Sequence, residues 1–158
     1  MRGKKAIKRE AALDSKYGNA LLGKFINYVM LGGKKTTAEK IVYGALEKIA
    51  AETKKDAVKI FEEAIRTVSP QVEVRSKRVG GANYQVPLPV RGERQNALAF
   101  RWVIDAARAK KGQPMLDKLA TVINEASQGL GDAIKKRDEV HRMADANKAF
   151  AHFARFAK

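Results

Sequence analysis

Most of the chain places apolar residues at helical spacing, and one stretch alternates with a period of two. Leu21, Leu22, Phe25, Ile26 and Val29 predict a first helix over 20–31, capped by Asn19 and ended by Gly32-Gly33. Thr36-x-x-Glu39 reads as a capping box opening a second helix over 37–53, with Ile41, Val42, Ala45, Leu46 and Ile49 inside. Asp56 caps a third over 57–68 that buries Val58, Phe61, Ala64, Ile65 and Val68 and stops at Pro70. A fourth spans 93–110, with Leu98, Trp102 and Val103 as its core positions. Pro114 opens a fifth through Met115, Leu116, Leu119, Ile123 and Ala126 to about Gln128. Gly129-Leu130-Gly131 breaks the pattern, and Asp132 caps a sixth helix from 133 to beyond 150.

The period-two stretch lies between the third and fourth helices. Val72, Val74 and Ser76 share one face, and Glu73, Arg75 and Lys77 the other. Gly80-Gly81-Ala82-Asn83 is a turn cluster, after which Tyr84, Val86, Leu88 and Val90 share a face. Pro87 and Pro89 remove two N–H groups from the same edge, so this is an edge strand. The expected fold is mainly α: a single domain, a bundle of about six helices with a protruding two-stranded β-ribbon over 72–90. An isolated ribbon is marginal in water and needs support from the helices or a partner.

Charge changes this picture. The 158 residues carry 32 Lys/Arg against 17 Asp/Glu, a net charge of +15. Such a surplus repels itself in the compact state, and a polyanion would relieve it. Residues 1–40 hold ten basic residues against three acidic, whereas residues 41–71 are balanced. The second and third helices thus read as scaffold and the rest as contact surface. Residues 1–18 read as an extended basic tail in which Arg2, Lys4, Lys5, Lys8 and Arg9 reach phosphates. Lys24 falls on the first helix, near Lys34 and Lys35 in the following loop. Arg75, Lys77, Arg78 and Arg91 make the ribbon cationic. Arg94, Arg101 and Arg108 recur every seven residues, nearly two turns, and form one stripe. Lys136 and Arg142 lie on the last helix, which ends in Phe150, Phe153 and Phe156, three rings that could dock back on the body, stack on a base or meet a neighbouring protein, a core or docking contact being favoured. Arg suits phosphate because its guanidinium forks onto two oxygens.

Candidate catalytic groups are sparse. His141 and Asp145 can meet across one helical turn, but His152 is too far along to complete a metal site. Glu62 and Glu63 diverge, and Lys34-Lys35-Thr36 lacks the glycines of a phosphate loop. No enzyme activity, cofactor or metal is expected. The absence of cysteine excludes disulfides and thiolate chemistry. No apolar run is long enough to span a bilayer, and no signal-peptide core follows the basic start, so no membrane partner and a cytoplasmic location are expected.

Several long motifs carry a resemblance. Gly33-Lys34-Lys35-Thr36-Thr37-Ala38-Glu39-Lys40-Ile41-Val42-Tyr43, Arg78-Val79-Gly80-Gly81-Ala82-Asn83-Tyr84-Gln85-Val86-Pro87, Arg101-Trp102, and the run from Lys136 to His152 resemble the bacterial ribosomal protein S-seven family, the seventh protein of the small subunit. The likeness covers nearly the whole chain. It departs where Ala12-Leu13-Asp14-Ser15 lacks the proline often found before the Lys-Tyr pair, and in the aromatic C-terminus. The resemblance implies a six-helix bundle with a β-ribbon. It also implies a primary binder of the 3′ major domain of small-subunit ribosomal RNA that nucleates assembly of the head. The ribbon and last helix would lie near the exit-site transfer RNA and the messenger path, with the S-eleven protein as a neighbour. By motif position it implies RNA contacts at Lys34, Lys35, Arg75, Arg78, Arg94, Arg101, Met115 and Lys136, and at the tail. On pattern alone the competing reading is an architectural DNA-binding protein with basic ribbon arms, although such proteins are usually shorter and dimeric.

Overall fold

The structure, a computed structural model, describes residue 3 and residues 12–156. Among these residues, six α-helices surround one core: α1 (Ala20–Val29), α2 (Lys35–Thr53), α3 (Ala57–Val68), α4 (Glu93–Ala109), α5 (Met115–Ser127) and α6 (Asp132–Ala146). The antiparallel strands β1 (Val72–Val79) and β2 (Ala82–Pro89) form the ribbon between α3 and α4. A 3₁₀ helix, Lys148–Phe156, closes the chain.

Helix α5 is the axis of the bundle, packing against α2, α3, α4 and α6. Its Leu119, Ala120, Val122, Ile123 and Ala126 are buried, the width of stripe expected of a helix enclosed on several sides. Phe25 of α1 meets Phe61 of α3 at 5.0 Å and Phe100 of α4 at 5.3 Å between ring centroids. These tilted contacts join three helices through the largest buried side chains. On α4 the core runs through Ala99, Phe100, Val103, Ile104 and Ala107. Leu98 and Trp102, expected as core, are only partly buried, because the helix is turned to seat Phe100 and Ile104 inward.

Two caps follow the sequence and two do not. The Asn19 side chain accepts from the Leu21 and Leu22 N–H groups, and Asp56 from Val58 N–H. The Thr36–Glu39 capping box is absent: α2 begins two residues earlier, with Lys34 as its N-cap and no side-chain cap bond. Glu39 turns to Lys35 at 3.8 Å instead. Asp132 lies inside the first turn of α6 and Gly131 is the cap, leaving the Asp132 carboxylate to bond Lys135 at 2.8 Å.

The last helix ends at Ala146, short of the expected run past 150. Asn147 stops it by donating its side-chain amide to Met143 O at 2.8 Å, in competition with the helical backbone. The chain then tightens to three residues per turn, which eclipses side chains three apart. Phe150 and Phe153 therefore stack, 6.3 Å apart and 14° from parallel, against Tyr84 of β2, which lies 5.1 Å from each. The expected docking contact of Phe150 and Phe153 is thus made on the ribbon; the side chain of Phe156 lies outside the described residues.

The chain expected as a tail over 1–18 is folded from residue 12. Buried Asp14 accepts from Tyr17 N–H at 2.8 Å, Lys16 N–H at 3.2 Å and the Tyr43 hydroxyl of α2. Burial, with the Asp14 bond second, pushes the Tyr43 phenol above its ordinary range. Gly23 lets this segment lie close on α1, since a methyl group there would come within 2.7 Å of the Ala12 carbonyl oxygen.

Candidate nucleic-acid interface

The ribbon is built from the turn outward. Gly80 and Gly81 both have positive φ, 56° and 88°, as a two-residue loop matching the strand twist requires. The register pairs Glu73 with Leu88, Arg75 with Val86 and Lys77 with Tyr84. Paired residues share a face, so the charged side of β1 lies beside the apolar side of β2. That mixed face turns to the body, where Val86 is buried and Tyr84 meets the phenylalanines. Val72 and Val74 lie with Pro89 and Pro87 on the outer face. Pro87 and Pro89 occupy an edge, as expected of a two-stranded ribbon.

The mixed face places one carboxylate among the cations. Glu73 is only 8% exposed. It accepts from Arg94 Nε at 3.0 Å and pairs with Arg75, tying the root of the ribbon to α4. A second anchor joins the root to α6: Gln71 N–H donates to His141 Nε2 at 3.2 Å. His141 thus serves the ribbon backbone rather than an Asp145 dyad. A third is Arg137, which donates to Thr67 O at 2.6 Å at the end of α3.

The cations expected at the site fall into three groups. Arg94, Arg101 and Arg108 are all exposed along α4. Arg94 joins Glu73, Arg101 lies 5.9 Å from the Tyr28 ring centroid, and Arg108 makes no ion pair among the described residues. On the ribbon, Arg75 and Lys77 lie on the mixed face and Arg78 on the outer one; Lys77 donates to Phe153 O at 3.2 Å. Arg78 and Arg91 are exposed and make no ion pair among the described residues. On the bundle, Lys34 and Lys35 stand exposed at the start of α2. Lys24 pairs across to Glu93 of α4 at 2.9 Å rather than sitting with them. Lys136 and Arg142 are exposed on α6. Lys136 bonds Glu139 at 2.7 Å and, with weaker help from Arg142, holds that carboxyl below its ordinary range. Met115 is half-buried, packed against the core. Arg2, Lys4, Lys5, Lys8 and Arg9 lie outside the described residues.

Sequence reasoning missed Glu73 as the organising acid. A lone acid on a cationic strand, seven residues before Gly80 of the turn, was the available signal. It also left the scaffold cations unassigned. Lys48 reaches Asp117 of α5 at 2.7 Å and Lys110 reaches Glu125 at 2.8 Å, so these serve helix packing. Among the described residues no helix is long and apolar enough to cross a membrane, and no cluster of three or more His, Cys, Asp or Glu could hold a metal.

The family described as Ribosomal protein S7p/S5e matches residues 1–148. The small ribosomal subunit protein uS7 of Chromohalobacter salexigens is 52% identical over 152 residues, covering 96% of this chain and 97% of the relative. Those of Francisella tularensis subsp. holarctica and Rhodospirillum rubrum are each 54% identical, covering 96% of this chain and 98% and 97% of theirs. A match of this extent, on a helical bundle with a basic ribbon between α3 and α4, leaves one conclusion: the chain belongs to the ribosomal protein S7p/S5e family, as a structural, non-enzymatic constituent of the small ribosomal subunit.

Proposed function

We propose that the chain is a primary binder of the 3′ major domain of small-subunit ribosomal RNA and nucleates assembly of the head. The observation that carries this reading is the cationic surface running from α4 onto the ribbon. Arg94, Arg101 and Arg108 are exposed in line along the helix, Arg91 precedes them, Arg75 lies on the mixed face of the ribbon and Arg78 on its outer face, and Glu73 is already neutralised in place. A rigid array of guanidiniums recognises folded RNA through its phosphate spacing and shape. The balanced face of α2 and α3 supports the array without competing for RNA. In the same reading the ribbon and α6, joined through Gln71 and His141, face the exit-site transfer RNA and messenger path, with the S-eleven protein as neighbour.

The test is binding of the full chain to a 3′ major domain fragment and to duplex DNA of equal charge, across a salt series. With about six phosphates contacted, the log–log slope should have a magnitude of about 4 to 5. Preference for the RNA should survive raised salt, and Arg78→Ala with Arg91→Ala, two exposed arginines with no ion pair among the described residues, should weaken it while thermal stability stays near wild type. Equal, salt-limited binding to both polyanions would sink the reading.

A further inference from the structure

An open groove of about 300 Å³ runs between α1 and α4. Helix α1 contributes Lys24, Asn27 and Tyr28, and α4 contributes Glu93, Asn96 and Phe100, each set at the three- and four-residue spacing of one helical face. The groove differs chemically from the arginine array beside it. Two carboxamides each offer a donor and an acceptor. The Tyr28 ring is 37% exposed, stands edge-on to Phe100 at 5.4 Å and carries the Arg101 guanidinium at 5.9 Å. The Glu93 carboxylate is held by Lys24 at 2.9 Å. A phosphate entering here would meet that carboxylate. A nucleobase would find an aromatic surface and polar groups able to bond its edge, which is how unpaired RNA bases are recognised. Arg94 lies two residues before Asn96 on α4 and Arg101 five residues after it, so cations stand on both sides for the phosphates that flank such a base.

We infer that the α1–α4 groove receives one unpaired base of the bound RNA, stacked against Tyr28 and read at its edge by Asn27 and Asn96. This rests on the proposed binding of ribosomal RNA and assigns to α1 and α4 the reading of a base, in addition to the reading of backbone shape. Asn27 is exposed and Asn96 half-exposed, and Tyr28→Phe keeps the ring contact with buried Phe100.

The test uses the full chain and the 3′ major domain fragment. Asn27→Ala with Asn96→Ala, and separately Tyr28→Ala, should each lower affinity about tenfold, the scale of one stacked base. The salt slope should not change, because no phosphate contact is removed. Tyr28→Phe should retain affinity, since it keeps the ring. Base-specific chemical probing should show one single-stranded base protected by the wild type and open in both alanine variants, with the backbone footprint preserved. Wild-type affinity and base protection in both variants would overturn the groove as a base site while leaving RNA binding intact. Failure of the wild-type chain to bind the fragment would overturn the RNA reading and the groove together. Melting curves matching wild type keep a loss of fold from being read as a loss of contact.

Discussion

Single residues decide how the N-terminal segment meets the bundle. Glycine inside a helix costs about 1 kcal/mol relative to alanine, so Gly23 in α1 needs a compensating reason. The reason is room: Ala12 and Asp14 pass against that face, and the Asp14 turn is fastened to α2 through Tyr43. Gly23→Ala should therefore separate two effects. The helix gains propensity, so the main unfolding midpoint stays the same or rises. The segment 12–18 is displaced by the clash with the Ala12 carbonyl, so amide exchange at Lys16 and Tyr17, whose N–H groups bond Asp14, should speed at least about tenfold. Unchanged exchange at these two amides would show that the segment does not rest on Gly23. Glu73 is the corresponding residue in the ribbon, because its carboxylate turns two mutually repelling arginines into a joint.

At the scale of elements the ribbon is held at its root and again along its length. Its root is joined to α4 through Glu73 and to α6 through His141. Its middle is clasped by the closing 3₁₀ helix, through the Tyr84, Phe150 and Phe153 rings and the Lys77 bond to Phe153 O. Each aromatic pair contributes about 0.5–1.5 kcal/mol beyond the area it buries. Phe150→Ala with Phe153→Ala should therefore accelerate amide exchange in β2 by about tenfold or more, while α5 amides, enclosed by four helices, keep their protection. Equal acceleration in α5 would mean that the clasp belongs to the global fold rather than to the ribbon. The pattern made this clasp half legible: phenylalanines at spacing three were visible, but the switch from α to 3₁₀ at Asn147 that aligns them was not.

For the whole molecule, the net charge of +15 sets two responses of opposite sign. The free chain repels itself, and salt screens that repulsion within a Debye length of about 10 Å at 0.1 M. Raising salt from about 20 mM to about 300 mM should raise the melting temperature of the free chain by a few degrees, about 1 kcal/mol or more at this size. The same change should lower RNA affinity, because the counterions displaced on binding gain less entropy when released into more concentrated salt. A melting temperature that falls with salt would mean that the ion pairs Lys48–Asp117 and Lys110–Glu125 outweigh the surplus charge.

The element order, the helix caps at Asn19 and Asp56, the ribbon and its turn, the arginine stripe and the family were all legible along the chain. All of these rest on local periodicity, on turn chemistry or on motifs contiguous in the chain. Which faces met was settled by packing between distant segments. The fold placed the charged side of β1 beside the apolar side of β2, seated Phe100 rather than Trp102 in the core, and drew Lys24 to Glu93 instead of to Lys34. It ended the last helix at Asn147 and folded residues 12–18 onto α2. Each of these depends on side chains far apart in sequence competing for the same space or charge, and neither spacing nor propensity within one element encodes the outcome of that competition.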